Sequence, residues 1–494
     1  MIAGVFYRSG LSLAIAAFYV TATVIYAESP SAAQTSVGAP SIQVVINQSL
    51  PPLSTFQGLG VEFDPYENPP SPERWQTILR RVEFAHFGFF RVMSSASDYC
   101  LGFDNTGAPI YVWNHPDAKT QQRLDRLLAM LDFAQAHGIS VYLGEWSPVP
   151  QLGIKTPDDA RWQRIIADFV QYLVRQRHYS VIDHYIFFNE PNGRWMWPAS
   201  GPDYQAWSRG IRQLRQEMDA RSLTSVQLAG PDNSGDNNWF VRSVHDLAAQ
   251  FGAWESHIYA TDGEVTEGVL ETELNQARTT ILTSDPSGAS KTRFLAESGM
   301  NTGKDSKLDQ QQRVKTFPYG VLMADYATQV ARAGWMGADA WDLDDRQHFN
   351  RLGTLKIWGF WDSSPESDMQ IRPWFYPWSL ISRFFPKGSS ILSVDLAPSD
   401  KHFRATAAEW SSAKGKHASI LLVNEEDAAK TVAIHAPAEW PKKFYCYHYF
   451  DKDRPADKEG LPIPAGILKA TKPEKELSVS MPARGVVLLT TEEP

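Results

Sequence analysis

Cysteine is nearly absent from this chain, with two in 494 residues. Two cysteines exclude a disulfide scaffold; Cys100 and Cys446 read as two separate buried thiols, with a single disulfide between them as the alternative. No His/Cys triplet has metal-ligand spacing, and no metal is expected. Positive charge is also short. Lys and Arg number 47 against 56 Asp and Glu, a formal net charge of −9. That balance lacks the basic footprint a phosphate backbone demands, so no nucleic-acid partner is expected. No GxSxG elbow and no Walker loop occurs. The lone Gly58-x-Gly60 lacks the third glycine and the directly following helix of a dinucleotide-binding fold, and no cofactor is expected. Beyond residue 27 no stretch is apolar enough to span a bilayer, which argues against stable membrane insertion.

What is abundant is aromatic: 17 Trp, 18 Tyr and 25 Phe. Such residues pack cores and also stack on sugar rings, so the excess permits carbohydrate binding without proving it. The N-terminus carries one Arg (Arg8), an apolar stretch from Leu11 to Tyr26, and Ala27 before polar Glu28-Ser29-Pro30. Residues 1–27 therefore read as a secretory signal peptide, with an uncleaved anchor as the alternative. The Ser/Ala/Pro/Gly mix of 28–41 reads as a flexible leader. The expected location is secreted, periplasmic or extracellular.

Between residues 54 and 386 short apolar runs alternate with helical spacing. Eight runs read as buried strands: 56–63, 87–93, 139–146, 184–189, 226–229, 254–259, 293–296 and 335–341. Ser71-Pro72 is an N-cap followed by Pro at the first helical position. Leu124, Leu127, Leu128, Leu131 and Ala134 follow the i, i+3, i+4, i+7 rule, and Gly138 is placed to end that helix. Eight β–α alternations predict an α/β fold, a (β/α)8 TIM barrel; an open doubly wound sheet is the alternative. Residues 387–494 change to short alternating runs separated by turns, which predicts a C-terminal antiparallel β-sandwich. The run 42–53 is expected to add an N-terminal strand to that sandwich. The Trp-rich strings 356–361 and 373–378 read as packing, and the Lys clusters 414–416 and 472–475 as solvated surface.

In a closed barrel, active residues project from the C-terminal ends of the strands. Those ends carry Glu62 and Asp64, Arg91, Glu145 and Trp146, Asn189-Glu190, Asp232, His257 and Tyr259, Glu297, and Trp341-Asp342. With metal, thiol and phosphate-loop chemistry gone, what remains is carboxylate chemistry, and glycoside hydrolysis uses a pair of carboxylates.

The string IFFNEPNG, with Asn189-Glu190-Pro191 closing the fourth run, resembles the acid/base motif of the clan A glycoside hydrolases. FLAESG places Glu297 where that clan keeps its nucleophile, and ESHIYA places His257 and Tyr259 at the end of the sixth run. Among clan members the pattern is most similar to family 39, with families 5 and 30 as competitors. Ser298-Gly299 follow Glu297 where the clan often has an aromatic residue. The resemblance implies a retaining glycosidase, with Glu297 as nucleophile and Glu190 as acid/base, acting on an equatorially linked glycoside of a plant or microbial polysaccharide. A transglycosylase with the same glutamates and a non-catalytic carbohydrate-binding protein are the rival readings. Glu190 is expected to have a raised pKa in the free protein. Asn189 suits the sugar 2-OH, while Arg91, His257 and Tyr259 suit the nucleophile. Trp341 is a stacking candidate, Trp146 a second-subsite candidate and Glu145 a further sugar ligand. Long segments at 94–120 and 343–374 tilt the expectation towards exo action, with endo action open.

Overall fold

The apolar runs found in the sequence pair in parallel and close into a barrel of eight strands. In chain order these are β1 (Gly58–Glu62), β2 (Phe89–Ser94), β3 (Ser140–Glu145), β4 (Ile182–Ile186), β5 (Gln227–Ser234), β6 (Phe251–Ala260), β7 (Thr292–Met300) and β8 (Gly337–Ala340). The structure, a computed structural model, describes residues 42–66, 68–115, 121–197, 201–470 and 476–494. The expected signal and leader, and Lys472 to Lys475, lie outside the described residues.

Each strand is followed by a helix of the outer ring. These are α1 (Pro72–Ala85), α2 (Gln122–His137), α3 (Ala160–Gln171), α4 (Tyr204–Ala220), α5 (Asn237–Leu247), α6 (Val269–Ser284), α7 (Phe317–Arg332) and α8 (Phe375–Phe384). Local chemistry explains their ends. The Ser71 hydroxyl accepts from the Arg74 amide, and Pro72 stands at the first helical position. Gly138 ends α2 at φ +66°, a left-handed conformation that only glycine adopts without steric cost. Leu124, Leu127, Leu128, Leu131 and Ala134 all face inward, as the helical repeat requires. Among the described residues no helix is long and apolar enough to cross a membrane.

The C-terminal region is one ten-stranded sheet, and it is mostly antiparallel. The strand Ile42–Asn47 lies inside it, antiparallel to Ser390–Ala397 on one side and parallel to Lys430–His435 on the other. That parallel pair departs from the purely antiparallel expectation. It arises because the strand enters from the far end of the chain and not through a hairpin.

Alternation along the central strands explains how the sheet and barrel share a core. Leu421, Val423 and Leu488 pack with the residues of the barrel's helices. Their neighbours Ile420, Leu422 and Leu489 face the sheet's own interior with Val44, Phe403 and Val432. Strands buried on both faces read as continuous apolar runs, as ASILLVN and GVVLLT do. A buried ion pair adds to the junction, with Arg404 Nη1 on the sheet 2.5 Å from Asp325 Oδ2 on α7. Cys100 and Cys446 are free thiols.

Candidate active site

Strand alternation puts Phe89, Arg91 and Met93 on the same face of β2. That face is the barrel interior, where Phe89 and Met93 pack with Tyr142, Ile186, Ala229 and Phe294. Phe89 and Tyr142 are stacked at 4.6 Å between centroids, and Tyr142 and Phe294 lie at 4.5 Å. Gly60 leaves room for this floor, since a Cβ there would come within 2.5 Å of the Phe89 ring. One pleat further along, the interior becomes polar.

Arg91 is fully buried and organises that polar layer. Its Nη1 donates to Glu62 Oε2 at 2.7 Å and to Glu297 Oε1 at 3.0 Å. Its Nη2 donates to Asn189 Oδ1 at 2.6 Å and to Asp232 Oδ2 at 3.0 Å. A planar guanidinium with five donors can serve four acceptors at once, which an ammonium could not do. Strands β1, β2, β5 and β7 and the turn after β4 are thereby fixed around one cation.

His257 on β6 does the same with an imidazole. Nε2 lies 2.9 Å from Asp232 Oδ1, and Nδ1 lies 3.2 Å from Glu190 Oε1 and 3.4 Å from Glu297 Oε2. The Tyr259 hydroxyl donates to Glu297 Oε2 at 2.6 Å. The two glutamates therefore meet over His257, and a carboxylate oxygen of Glu190 lies within 4.8 Å of one of Glu297. Glu190 and Asp232 both have positive φ, 44° and 58°. Non-glycine residues adopt that region at a cost of about 1–3 kcal/mol, and such strain gathers at functional sites.

The charges follow from this geometry. Burial opposes ionisation of His257, but Glu297 and Asp232 outweigh it and raise its pKa well above 6.5, so the ring is an imidazolium at neutral pH. Burial pushes Asp232 up, while Arg91 and His257 bring it well below the usual carboxylate range. Glu297 ends above its ordinary value, because burial exceeds the pull of His257 and Arg91. Glu190 is the correction. Burial raises it, but the hydrogen bond and charge of His257 and the Trp195 indole bring it below 4.5. In the free protein the mobile proton therefore sits on His257, not on Glu190 as expected. Asp339 is buried with no partner on either carboxylate oxygen, and Glu255 is buried against Asp232. Burial pushes both well up, so they are neutral acids.

Glu145 is a second correction. It is buried away from the site: Tyr99 and Tyr185 hydroxyls donate to its Oε1 at 2.6 and 3.1 Å, and the Ala96 amide donates to Oε2 at 2.8 Å. It pins the segment after β2 to β3 and β4 and is no sugar ligand. Burial pushes its carboxyl up to about 7, against the two tyrosine hydrogen bonds. A carboxyl raised on folding stabilises the fold fully below its unfolded pKa and loses that contribution as pH rises through its folded pKa. Glu145→Gln is therefore expected to flatten the fall in unfolding free energy between about pH 5 and 8. Urea titrations across that range check it, and parallel curves for parent and variant would refute the assignment.

Trp341 and Trp146 meet edge to face at 6.3 Å. Trp341 stacks on His348 at 4.7 Å and is 4% exposed, so packing takes up most of its ring. Three side chains went unforeseen. Trp195, 58% exposed, donates its indole N–H to Glu190 Oε2 at 2.6 Å. Its signal was an aromatic five residues after the glutamate. Glu255 stands two residues before His257, the strand spacing of a shared face, and Asp339 sits inside an apolar run. Among the described residues three acid–histidine groups come close enough to hold a cation: Glu62/Asp64/His348, Glu190/His257/Glu297 and Asp232/Glu255/His257. In the two containing His257 the imidazolium is itself the cation, and both its nitrogens already face carboxylates.

No family model matches the chain, and no curated protein matches it. Solved structures do match over nearly its whole length. A glycoside hydrolase family 30 subfamily 8 xylanase from Clostridium acetobutylicum is 12% identical, with a TM-score of 0.61, covering 91% of this chain and 99% of that one. A GH39 enzyme from Xanthomonas axonopodis pv. citri is 13% identical, with a TM-score of 0.61, covering 92% and 97%. A monomeric beta-xylosidase from Caulobacter crescentus CB15 is 12% identical, with a TM-score of 0.61, covering 91% and 99%. At these identities the likeness is one of fold, and the fold is the barrel-plus-sheet architecture the sequence resemblance implied.

Proposed function

We propose that this protein is a secreted retaining glycoside hydrolase acting on a plant or microbial polysaccharide or its oligosaccharides. The observation that carries the reading is the pair of glutamates from opposite sides of the barrel, with carboxylate oxygens within 4.8 Å of each other. Retaining enzymes hold their two carboxyl groups about 5–5.5 Å apart, whereas inverting ones need about 6.5–9.5 Å to admit a water. In the first step a Glu297 oxygen attacks the anomeric carbon, the glycosidic C–O bond breaks, and the leaving oxygen takes a proton from Glu190. In the second, water attacks that carbon, Glu190 takes its proton, and the bond to Glu297 breaks. Arg91 and Tyr259 hold Glu297 ionised and aimed. Asn189, its Oδ1 tied to Arg91, is left to donate its amide N–H to the sugar 2-OH.

The titration follows from the charge layout. Glu297 must be ionised, and its pKa is raised, so kcat/KM falls as pH drops through a value above 4.5. The proton that Glu190 delivers is held jointly with His257, so the pair titrates as a unit. Activity is then lost as pH rises through the raised pKa of His257, above 6.5. His257→Gln is expected to draw the alkaline limb towards lower pH, and an unmoved limb would show that the proton is stored elsewhere.

The function itself is tested by a product screen. The chain from Glu28 is incubated with xylan, other cell-wall polysaccharides and β-aryl glycosides, and products are read by mass spectrometry and anomeric NMR. Xylan leads the panel because two of the matched structures are named xylanase and beta-xylosidase. Release of sugar with the β-anomer formed first supports retention. Inverted product, or binding without release on every glycan, would overturn the reading.

A further inference from the structure

A cavity of about 640 Å³ lies away from the catalytic layer, between α1, the segment 368–373 before α8, and the loop 454–460 of the C-terminal sheet. None of the residues of the glutamate site lines it. Arg81 on α1 forms its inner wall and is 8% exposed. Among the described residues this arginine has no carboxylate partner. Its Nη1 is buried with no hydrogen bond, and its guanidinium carbon lies over Trp361, 4.9 Å from the ring centroid.

A buried, unpaired guanidinium is costly, because a charge taken out of water needs an opposite charge or several acceptors to offset the lost hydration. The carboxylates lining the cavity act on Arg81 only through space, Glu459 and Asp368 among them, and none forms an ion pair with it. Glu459 pairs with Arg80 at 3.5 Å. Asp457 Oδ1 accepts the amides of Glu459 and Leu461, and Asp368 Oδ1 accepts the amide of Gln370. Arg372 is already satisfied by Asp345. At the rim, Arg454 and Lys458 also face the cavity, and no ion pair holds either among the described residues. Burial lowers the pKa of Arg81 only to about 10, so the group stays charged at neutral pH.

We propose that this cavity is a second ligand site, built for a small oxyanion that lies against Arg81 and is closed in by Arg454 and Lys458. The shared chemistry is a carboxylate, phosphate or sulfate group with two or more acceptor oxygens, since a guanidinium donates in parallel pairs to such groups. Two sources fit it, the carboxylate of an acidic sugar or an inorganic anion. Because α1 belongs to the barrel and the 454–460 loop to the sheet, an occupant would bridge the two.

The test uses the full chain and a thermal melt. Inorganic phosphate, sulfate and sodium glucuronate are titrated at constant ionic strength set with sodium chloride, with glucose as the neutral control. The expected result is a saturable rise in Tm with at least one oxyanion and none with glucose. Glucuronate alone identifies an acidic sugar, and phosphate or sulfate alone an inorganic anion. Arg81→Met is expected to abolish the rise while leaving activity on aryl glycosides intact. Arg454→Ala/Lys458→Ala, on exposed side chains, is expected to weaken binding about tenfold, and this variant carries the test if Arg81→Met does not fold. No saturable rise beyond chloride, or an undiminished rise in the variants, overturns the proposal.

Discussion

Glu297→Gln is expected to lower turnover by on the order of 10⁴-fold or more, the scale seen when one member of a catalytic set is removed. The amide is close in size to the carboxylate; its oxygen can face Arg91 while its NH2 donates to the Tyr259 hydroxyl, which turns from donor to acceptor, so the fold is expected to survive. What disappears is the negative oxygen that attacks the anomeric carbon. The companion result is a covalent adduct. Parent enzyme treated with an activated 2-fluoro sugar should gain one glycosyl unit on the peptide containing Glu297. A label mapping to Glu190 would exchange the two roles, and wild-type rates in Glu297→Gln would remove the mechanism altogether. Glu190→Ala gives the complementary signature. General acid–base assistance contributes about 10²–10⁴-fold, so the loss should be large for poor leaving groups and small for activated aryl ones.

Arg91→Met is expected to cost the fold about 3–5 kcal/mol, the usual price of stripping one partner from a buried ion pair. Glu62, Asp232 and Glu297 all lean on this one guanidinium. Without it, Asp232 and Glu297 must bear burial with only His257 opposite them. The sign of the pH effect follows. Arg91 depresses the pKa of each carboxyl it touches, so its absence matters most where they are ionised and least where acid has protonated them. Denaturant unfolding near neutral pH and near pH 4 should show the larger gap between parent and variant at the higher pH. Arg91→Lys should recover only part, because one ammonium cannot reach four acceptors across the barrel. A loss under about 1 kcal/mol for Arg91→Met would mean the neighbouring carboxyls are already protonated.

The barrel was legible because its strands are buried on both faces and most of its helices on one, so period and run length separate them. All eight runs became strands. The largest errors fall at their C-terminal ends. The run 226–229 extends to Ser234 and the run 293–296 to Met300. An apolar criterion stops where Asp232, Asn233 and Glu297 begin, yet the backbone goes on pairing past them. The strand end lost to pattern reading is thus the part that carries the site. Glu190, Glu297, Arg91, Asn189, His257 and Tyr259 were legible as strand-end polar residues, and the structure brings them together. Glu145 looked identical by that rule. Only the tyrosines from two other segments of the chain show that it serves the scaffold. The protonation of His257 was equally hidden, since it depends on carboxylates from two other strands and the turn after β4.

The strand Ile42–Asn47 has a consequence for how the chain is made. Its neighbours in the sheet begin at Ser390 and Lys430, so nearly the entire barrel is synthesised while this strand waits unpaired. Contacts of such sequence separation form late, after the entropy of closing the intervening loop has been met. Here the barrel itself closes that loop, bringing the strand Ile42–Asn47 near Ser390 before the sheet can zip shut. The sheet is therefore expected not to assemble as an isolated C-terminal fragment, because its middle would hold an unfilled slot between two strands with unpaired backbone groups. On the ribosome the order is barrel first and sheet last. The final strand pairing acts as a seal that only a completely translated chain can make.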